Sequence, residues 1–349
     1  MRTQVLTCIC RRCFRLLAGI FFSFSAVFSQ SANAPFWVGY DLPTPPPVAP
    51  GSVITIFVPG VGASLAGPVT AGSVPLPTTL AGISVTLAQN GSPAQSIPVP
   101  ILAVRPMSTC LTPPAARGGV TCSGYAAITI EVPFELQNHN VPFSRFVVAE
   151  NGVAGSAIEI SPRVDAVHVL TSCDLNGDFS GLCNIGISIT HADGTMVDLH
   201  HPAKSGEELV MYAFGLGATT PAVVTGQSAT SPASASGPFR LNFDYRPNAP
   251  ASYSNPQSQA TPIYAGLSAG YVGLYQLNFI VPPPPAGTPQ CNSVPLCLGT
   301  PSCIASNLTV SVIGAASFDG AGICVDTSSI AGPAAIASAA SKARITSRQ

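Results

Sequence analysis

Gly266-Leu267-Ser268-Ala269-Gly270 carries the Gly-x-Ser-x-Gly spacing with which serine hydrolases expose a nucleophilic hydroxyl. That chemistry needs a strand before the serine and a helix after it, so that Oγ stands clear and backbone N–H groups face the oxyanion. The residues that follow, YVGLYQLNFIVP, read as a strand, so a turn entering a core strand is expected instead of a nucleophile. Asp174, Asn176 and Asp178 place oxygen ligands at alternate positions, as the opening of a calcium-binding EF-hand loop does. Phe179 stands where that loop needs glycine, and Ile185 where it needs a bidentate glutamate. A polar loop tip with no cofactor is therefore expected, with calcium the alternative.

Three further constellations bear on chemistry. His191, Asp198, His200 and His201 could gather around zinc, but adjacent strand residues point to opposite faces, so solvated side chains are expected. Glu131 and Glu135 lie near a strand end, and a glycosidase would need two carboxyls facing each other across a cleft. Tyr245, Tyr253, Tyr264 and Tyr271 could form a strip of rings for sugar faces, although such tyrosines more often pack at strand edges with wet hydroxyls.

The elements that would position these residues are short strands. Thirty-five prolines and 32 glycines interrupt the chain too often for long helices. One phrase occurs twice. GSVITIFVPGVG (51–62) and GEELVMYAFGLG (206–217) are apolar runs ending in Gly-x-Gly, followed later by ITIEVPFEL (128–136) and YQLNFIVPPPP (275–285). Two ordered matches predict a duplicated β-module. Asn90-Gly91, Asn151-Gly152 and Asp193-Gly194 are hairpin turns between alternating runs. The expected fold is all-β, two tandem Ig-like β-sandwich modules with disulfide-stapled loops. The boundaries are a signal peptide over 1–34, a proline-rich lead-in over 35–50, modules over 51–162 and 163–329, and an Ala/Ser-rich tail over 330–349.

Arg2, Arg11, Arg12 and Arg15, an apolar stretch from Leu16 to Phe28 and Ala32-Asn33-Ala34 have the layout of a cleaved export signal. No later run is long and clean enough to span a bilayer, so no transmembrane anchor is expected in the mature chain. The eight cysteines beyond the signal are Cys110, Cys122, Cys173, Cys183, Cys291, Cys297, Cys303 and Cys324. They contain no Cys-x-x-Cys pair, and an even number bound for an oxidising compartment predicts disulfides instead of a metal site. Local pairing is expected for Cys110 with Cys122 and for Cys173 with Cys183, while the last four admit three connectivities. Only 8% of residues are charged, with a formal net charge of −1, so nucleic acid is not an expected partner.

HADGTMVDLHHPAKSGEELVMYAFGLGATTPAVVTGQ (191–227) and YAGLSAGYVGLYQLNFIVP (264–282) resemble the Solibacter-type uncharacterised C-terminal domain family of secreted acidobacterial proteins. SVITIFVPGVG, LPTTLAGISVTL and ENGVAGSAIEISP resemble the first half of the same pattern. The resemblance implies a secreted β-rich module of unassigned biochemical role, with no catalytic residues to carry over. The cysteine-bounded insertions around Cys110, Cys173 and Cys291 depart from the family's form. The expected function is that of a non-catalytic structural or adhesive protein, secreted or at the cell surface, with the periplasm as the alternative location. Its partner would be an extracellular protein or polysaccharide. Weak carbohydrate binding stands second, and hydrolysis third.

Overall fold

Alternation of apolar and polar residues over five to seven positions, cut by proline and glycine, leaves the chain little choice but extended strands. The computed structural model describes residues 37–38, 45–91, 93–111, 121–138, 144–170, 189–254, 258–293 and 302–328, all within one compact unit, Ala32–Gln349. The expected signal over 1–34, the Asp174, Asn176 and Asp178 loop with Cys173 and Cys183, Cys297, and the tail over 330–349 lie outside the described residues. Among the described residues there is no α-helix, and the strands form four sheets, none of them closed.

Two sheets belong to the first half of the chain. One runs in the order Trp37–Val38, Val53–Pro59, Thr121–Glu131, Ile101–Leu111, Val69–Thr70. The other runs Pro47–Val48, Val153–Pro162, Ser144–Glu150, Ile83–Gln89, Thr79–Leu80, with Gln95–Val99 also pairing Ile83–Gln89. Their facing side chains, among them Ile56, Val58, Ile128, Val85, Leu87 and Phe146, make one core. The predicted Asn151-Gly152 turn joins Ser144–Glu150 to Val153–Pro162, and both turn residues adopt positive φ, 50° and 81°.

The second half repeats the arrangement with different strands. The larger sheet runs His168–Val169, Glu208–Phe214, Tyr275–Ile280, Tyr264–Leu267, Ala233–Ala235, Thr219–Thr220, with Ile189–His191 also pairing Glu208–Phe214. The smaller runs Ser258–Ala260, Arg240–Asp244, Leu308–Ile313, Phe318–Ile323. Leu209, Met211, Leu277 and Phe279 meet Leu241, Phe243, Val310 and Val312 in a second core. Phe243 and Phe279 bridge the two sheets with ring centroids 6.0 Å apart.

The repeated phrase is a repeated structure. Val53–Pro59 pairs antiparallel with Thr121–Glu131, and Glu208–Phe214 pairs antiparallel with Tyr275–Ile280. Gly51 N–H donates to Val132 O at 2.9 Å and Gly206 N–H to Val281 O at 2.8 Å. In return Val132 N–H donates to Ser52 O at 2.7 Å and Val281 N–H to Glu207 O at 2.9 Å. The Gly-x-Gly turns match too, with φ of 75° and 72° at Gly60 and Gly62 and of 77° and 85° at Gly215 and Gly217. In the second copy that turn carries the connection between halves. Ala166 N–H donates to Gly215 O at 2.8 Å, and a side chain on either glycine would strike the carbonyl of Ala166 or Val164.

Asp165 anchors the same connection. Buried to 2% exposure, it accepts from the N–H groups of Ala315 (2.7 Å) and Ala316 (3.0 Å) and from the Ser317 hydroxyl (2.6 Å). Val167 N–H in turn donates to Ser317 Oγ at 2.8 Å.

Of the three connectivities open for the last four cysteines, the structure has Cys291 bonded to Cys324, with Cα atoms 5.9 Å apart and a sequence separation of 33. A loop of that length is worth about 4 kcal/mol in the chain-entropy model. Cys303 is disulfide-bonded as well, its partner lying outside the described residues. Cys110 and Cys122 are Cα partners across the antiparallel ladder of Ile101–Leu111 and Thr121–Glu131. Residues 35–349, kept unreduced, denatured and titrated with a thiol reagent, are expected to show no free thiol; two or more would contradict this framework.

Candidate functional site

The Gly-x-Ser-x-Gly residues form the end of Tyr264–Leu267 and the turn into Tyr275–Ile280, so strand follows strand. Ser268 N–H donates to Leu274 O at 2.8 Å, and its hydroxyl donates to Gln276 Oε1 at 3.0 Å. An amide oxygen accepts that hydrogen bond but is no general base, so the serine is a turn residue.

His191 Nδ1 lies 2.6 Å from Glu207 Oε1, and its Nε2 lies 3.1 Å from His201 O, so both ring nitrogens are engaged. Asp198 Oδ1 accepts from the N–H groups of His200 and His201, each at 2.7 Å. Partial burial opposes protonation of His191, but the hydrogen bonds to Glu207 and His201 and the charges of Glu207 and Asp193 outweigh it and raise its pKa. No group of three or more metal-ligating side chains occurs among the described residues.

The four tyrosines do not share a surface. Tyr245 is buried at 5% exposure and its hydroxyl donates to the Pro282 carbonyl, so it belongs to the core. Burial raises its pKa far above the ordinary phenol value. Tyr253 is exposed and packs against Phe318, centroids 6.0 Å apart, beside the smaller sheet of the second half. Tyr271 is exposed in the turn before Tyr275–Ile280. Tyr264 alone lies on a sheet face.

That face is the outward side of the larger sheet in the second half. Strict alternation along Glu208–Phe214 and Tyr275–Ile280 turns Glu208, Val210, Tyr212 and Phe214, and Gln276, Asn278 and Ile280, away from the core. Gly266, Gln276 and Tyr212 stand in register across three strands. A Cβ on Gly266 would lie 2.5 Å from the Tyr264 hydroxyl, so the Tyr264 ring occupies the space above that bare glycine. Its hydroxyl donates to Leu267 O at 2.9 Å. Beside the ring lies a shallow cavity of 180 Å³ lined by Pro232, Tyr264, Leu267, Ala269 and Gln276.

A chain of side-chain hydrogen bonds crosses the face. Ser268 donates to Gln276 Oε1, Gln276 Nε2 to Asn278 Oδ1, and Asn278 Nδ2 to Glu208 Oε1, each at 3.0 Å. Sequence reasoning singled out Tyr264 but missed Tyr212, Gln276, Asn278 and Glu208. The period-two pattern of their strands held the signal, because it puts all four on the outward side.

Glu131 and Glu135 sit where the two halves meet. Thr225, from the second half, accepts the Phe134 N–H at 2.9 Å and donates its hydroxyl to Glu135 Oε2 at 2.5 Å. Gly226 N–H donates to Glu131 Oε2 at 2.5 Å, and Gly226 O accepts from Leu76 N–H at 2.9 Å. Glu131 is fully buried, and its Oε1 has no hydrogen-bond partner among the described residues. Tyr275, equally buried, donates its hydroxyl to Gly217 O of its own half at 2.6 Å, and that hydroxyl rests against Gly51 of the first half.

Burial pushes the Glu131 pKa up to about 8; the Gly226 N–H pulls the other way, and the Glu135 charge adds to the rise. The folded protein therefore holds a proton that the unfolded chain, with a value near 4.5, has lost. That difference contributes stability which is complete below pH 4.5 and is lost as pH rises to about 8. Urea melts across this window should show Glu131→Gln gaining on the wild type as pH rises. A difference between the two that is flat with pH would contradict the burial of a neutral carboxyl.

No protein-family model matches the chain, and no curated protein matches it.

Proposed function

We propose that this chain is an exported, non-catalytic protein of two tandem Ig-like β-sandwiches, over 51–162 and 163–329, with a structural or adhesive role outside the cell. Its kinship with the Solibacter-type C-terminal domains belongs to the same proposal. The observation that carries the reading is the seam between the halves. The Gly226 N–H on the buried Glu131 carboxyl, Thr225 on Phe134 and Glu135, and the Leu76 N–H on the Gly226 carbonyl hold the two pairs of sheets in one fixed relation. An enzyme that closes on a substrate gains from halves that hinge, whereas a spacer or adhesive unit gains from halves that do not. The Cys291–Cys324 bond suits the same setting, an oxidising compartment. No helix among the described residues is long and apolar enough to cross a membrane.

The test is a pull-down of residues 35–349 on washed cell envelopes and, in parallel, on insoluble polysaccharides. Retention on either, without turnover of ester, glycoside or peptide substrates, is expected. Passage through both, or hydrolysis of any of these substrates, would overturn the reading.

A further inference from the structure

We propose that the outward face carrying Tyr264, Gln276 and Tyr212 is a binding site for an uncharged polysaccharide chain. The inference deepens the adhesive reading and rests on it, because it gives that role a ligand class.

The first support is the placement of Tyr264. A tyrosine on a sheet normally stands off the surface among its neighbours. Here Gly266 leaves a gap two residues along the strand, the ring lies over it, and the Leu267 carbonyl tethers the hydroxyl. A ring laid along a sheet turns its π-face outward, and the C–H-lined face of a pyranose is a matching surface. Tyr212 supplies a second ring two strands away, roughly 10 Å off at ordinary strand spacing, with Gln276 between them in register. Two rings so separated suit two sugar units of one chain.

The second support is the hydrogen-bond chain. Gln276 and Asn278 each use one amide N–H and one carbonyl lone pair within it. Each therefore keeps one donor and one acceptor for a ligand. Neighbouring sites of both kinds are best met by groups that donate and accept at once, which is what hydroxyls do. Exposed Glu208 ends the row with a carboxylate able to accept a charge-assisted hydrogen bond from a hydroxyl. A negative group at that point favours an uncharged chain over an acidic one. The cavity beside Tyr264 gives room for a substituent projecting from the ring stacked on it.

The test is affinity electrophoresis of residues 35–349 through gels containing hydroxyethylcellulose, xylan or mixed-linkage β-glucan, with calorimetry on cello- and chito-oligosaccharides. Retardation by at least one of these probes is expected. Tyr212→Ala and Gln276→Ala should each weaken that binding by about tenfold or more. Tyr253→Ala, which removes an exposed ring beside the smaller sheet, should leave it unchanged. Tyr264→Ala should abolish binding, and its melting curve tells lost contact from lost fold. If it fails to fold, Tyr212→Ala and Gln276→Ala decide.

Binding to none of the probes, or binding indifferent to Tyr212→Ala and Gln276→Ala, would overturn the proposal. If cell envelopes still retain the protein in that case, the adhesive reading stands without this site. If they do not, both fail together.

Discussion

Burying Glu131 beneath the second half of the chain is the constraint that most of the remaining structure serves. An ionised carboxylate in that position would carry a desolvation cost that one N–H donor cannot offset. The group is tolerable because it keeps its proton and because Gly226 brings its backbone N–H to Oε2 at 2.5 Å. That approach depends on Gly226 sitting against Leu76, and on Thr225 tying Phe134 and Glu135 to the same segment. Tyr275 extends the seam inward, so a core strand of the second half also touches Gly51 of the first. The connecting residues have no slack, since Asp165 fixes them to the turn at 315–317 and Gly215 and Gly217 leave them room to pass.

The duplicated strand pair explains how one chain has both a seam and an open face. The two copies share their antiparallel pairing, their entry hydrogen bonds and their glycine turns. They differ in what covers the outward end. In the first copy the terminal pair is Val53 with Glu131, and the second half buries both. In the second copy the matching pair is Glu208 with Ile280, and both are exposed. The same position is spent on holding the molecule together in one half and left free in the other. Tyr212, Gln276 and Tyr264 sit on that free surface, which is where a ligand would find room.

Much of the architecture was legible because period-two alternation and Asx-Gly turns are local signals. Ile83–Gln89, Glu208–Phe214 and Tyr275–Ile280 follow their patterns, and the Asn151-Gly152 turn lies where it was expected. Ile101–Leu111 shows no clean alternation, because Arg105 and Pro106 interrupt it. The structure accommodates Pro106 beyond the reach of the short outer strand, which pairs only with Ala103 and Val104. Phe318–Ile323 was missed because Gly320 and Gly322 dilute it. Those glycines make room for Ala251 and Ser306, which press on the sheet from outside. The tyrosine cluster was legible only as composition. Sorting buried Tyr245 from surface Tyr264 needs the strand register, and the space above Gly266 is a tertiary fact that spacing alone does not carry. The seam had no local signal, since Glu131 reads as the polar member of an alternating strand until the second half is folded over it.

The claim that the two halves form one fixed unit is tested most directly by native-state amide hydrogen exchange. The informative amides are Gly226, whose N–H meets Glu131, and Phe134, whose N–H meets Thr225. If the halves are locked, both exchange only through global opening, as slowly as Ile130 and Leu277 in the central strands. If Gly226 and Phe134 exchange at loop rates while Ile130 and Leu277 stay protected, the halves open independently and the account is wrong.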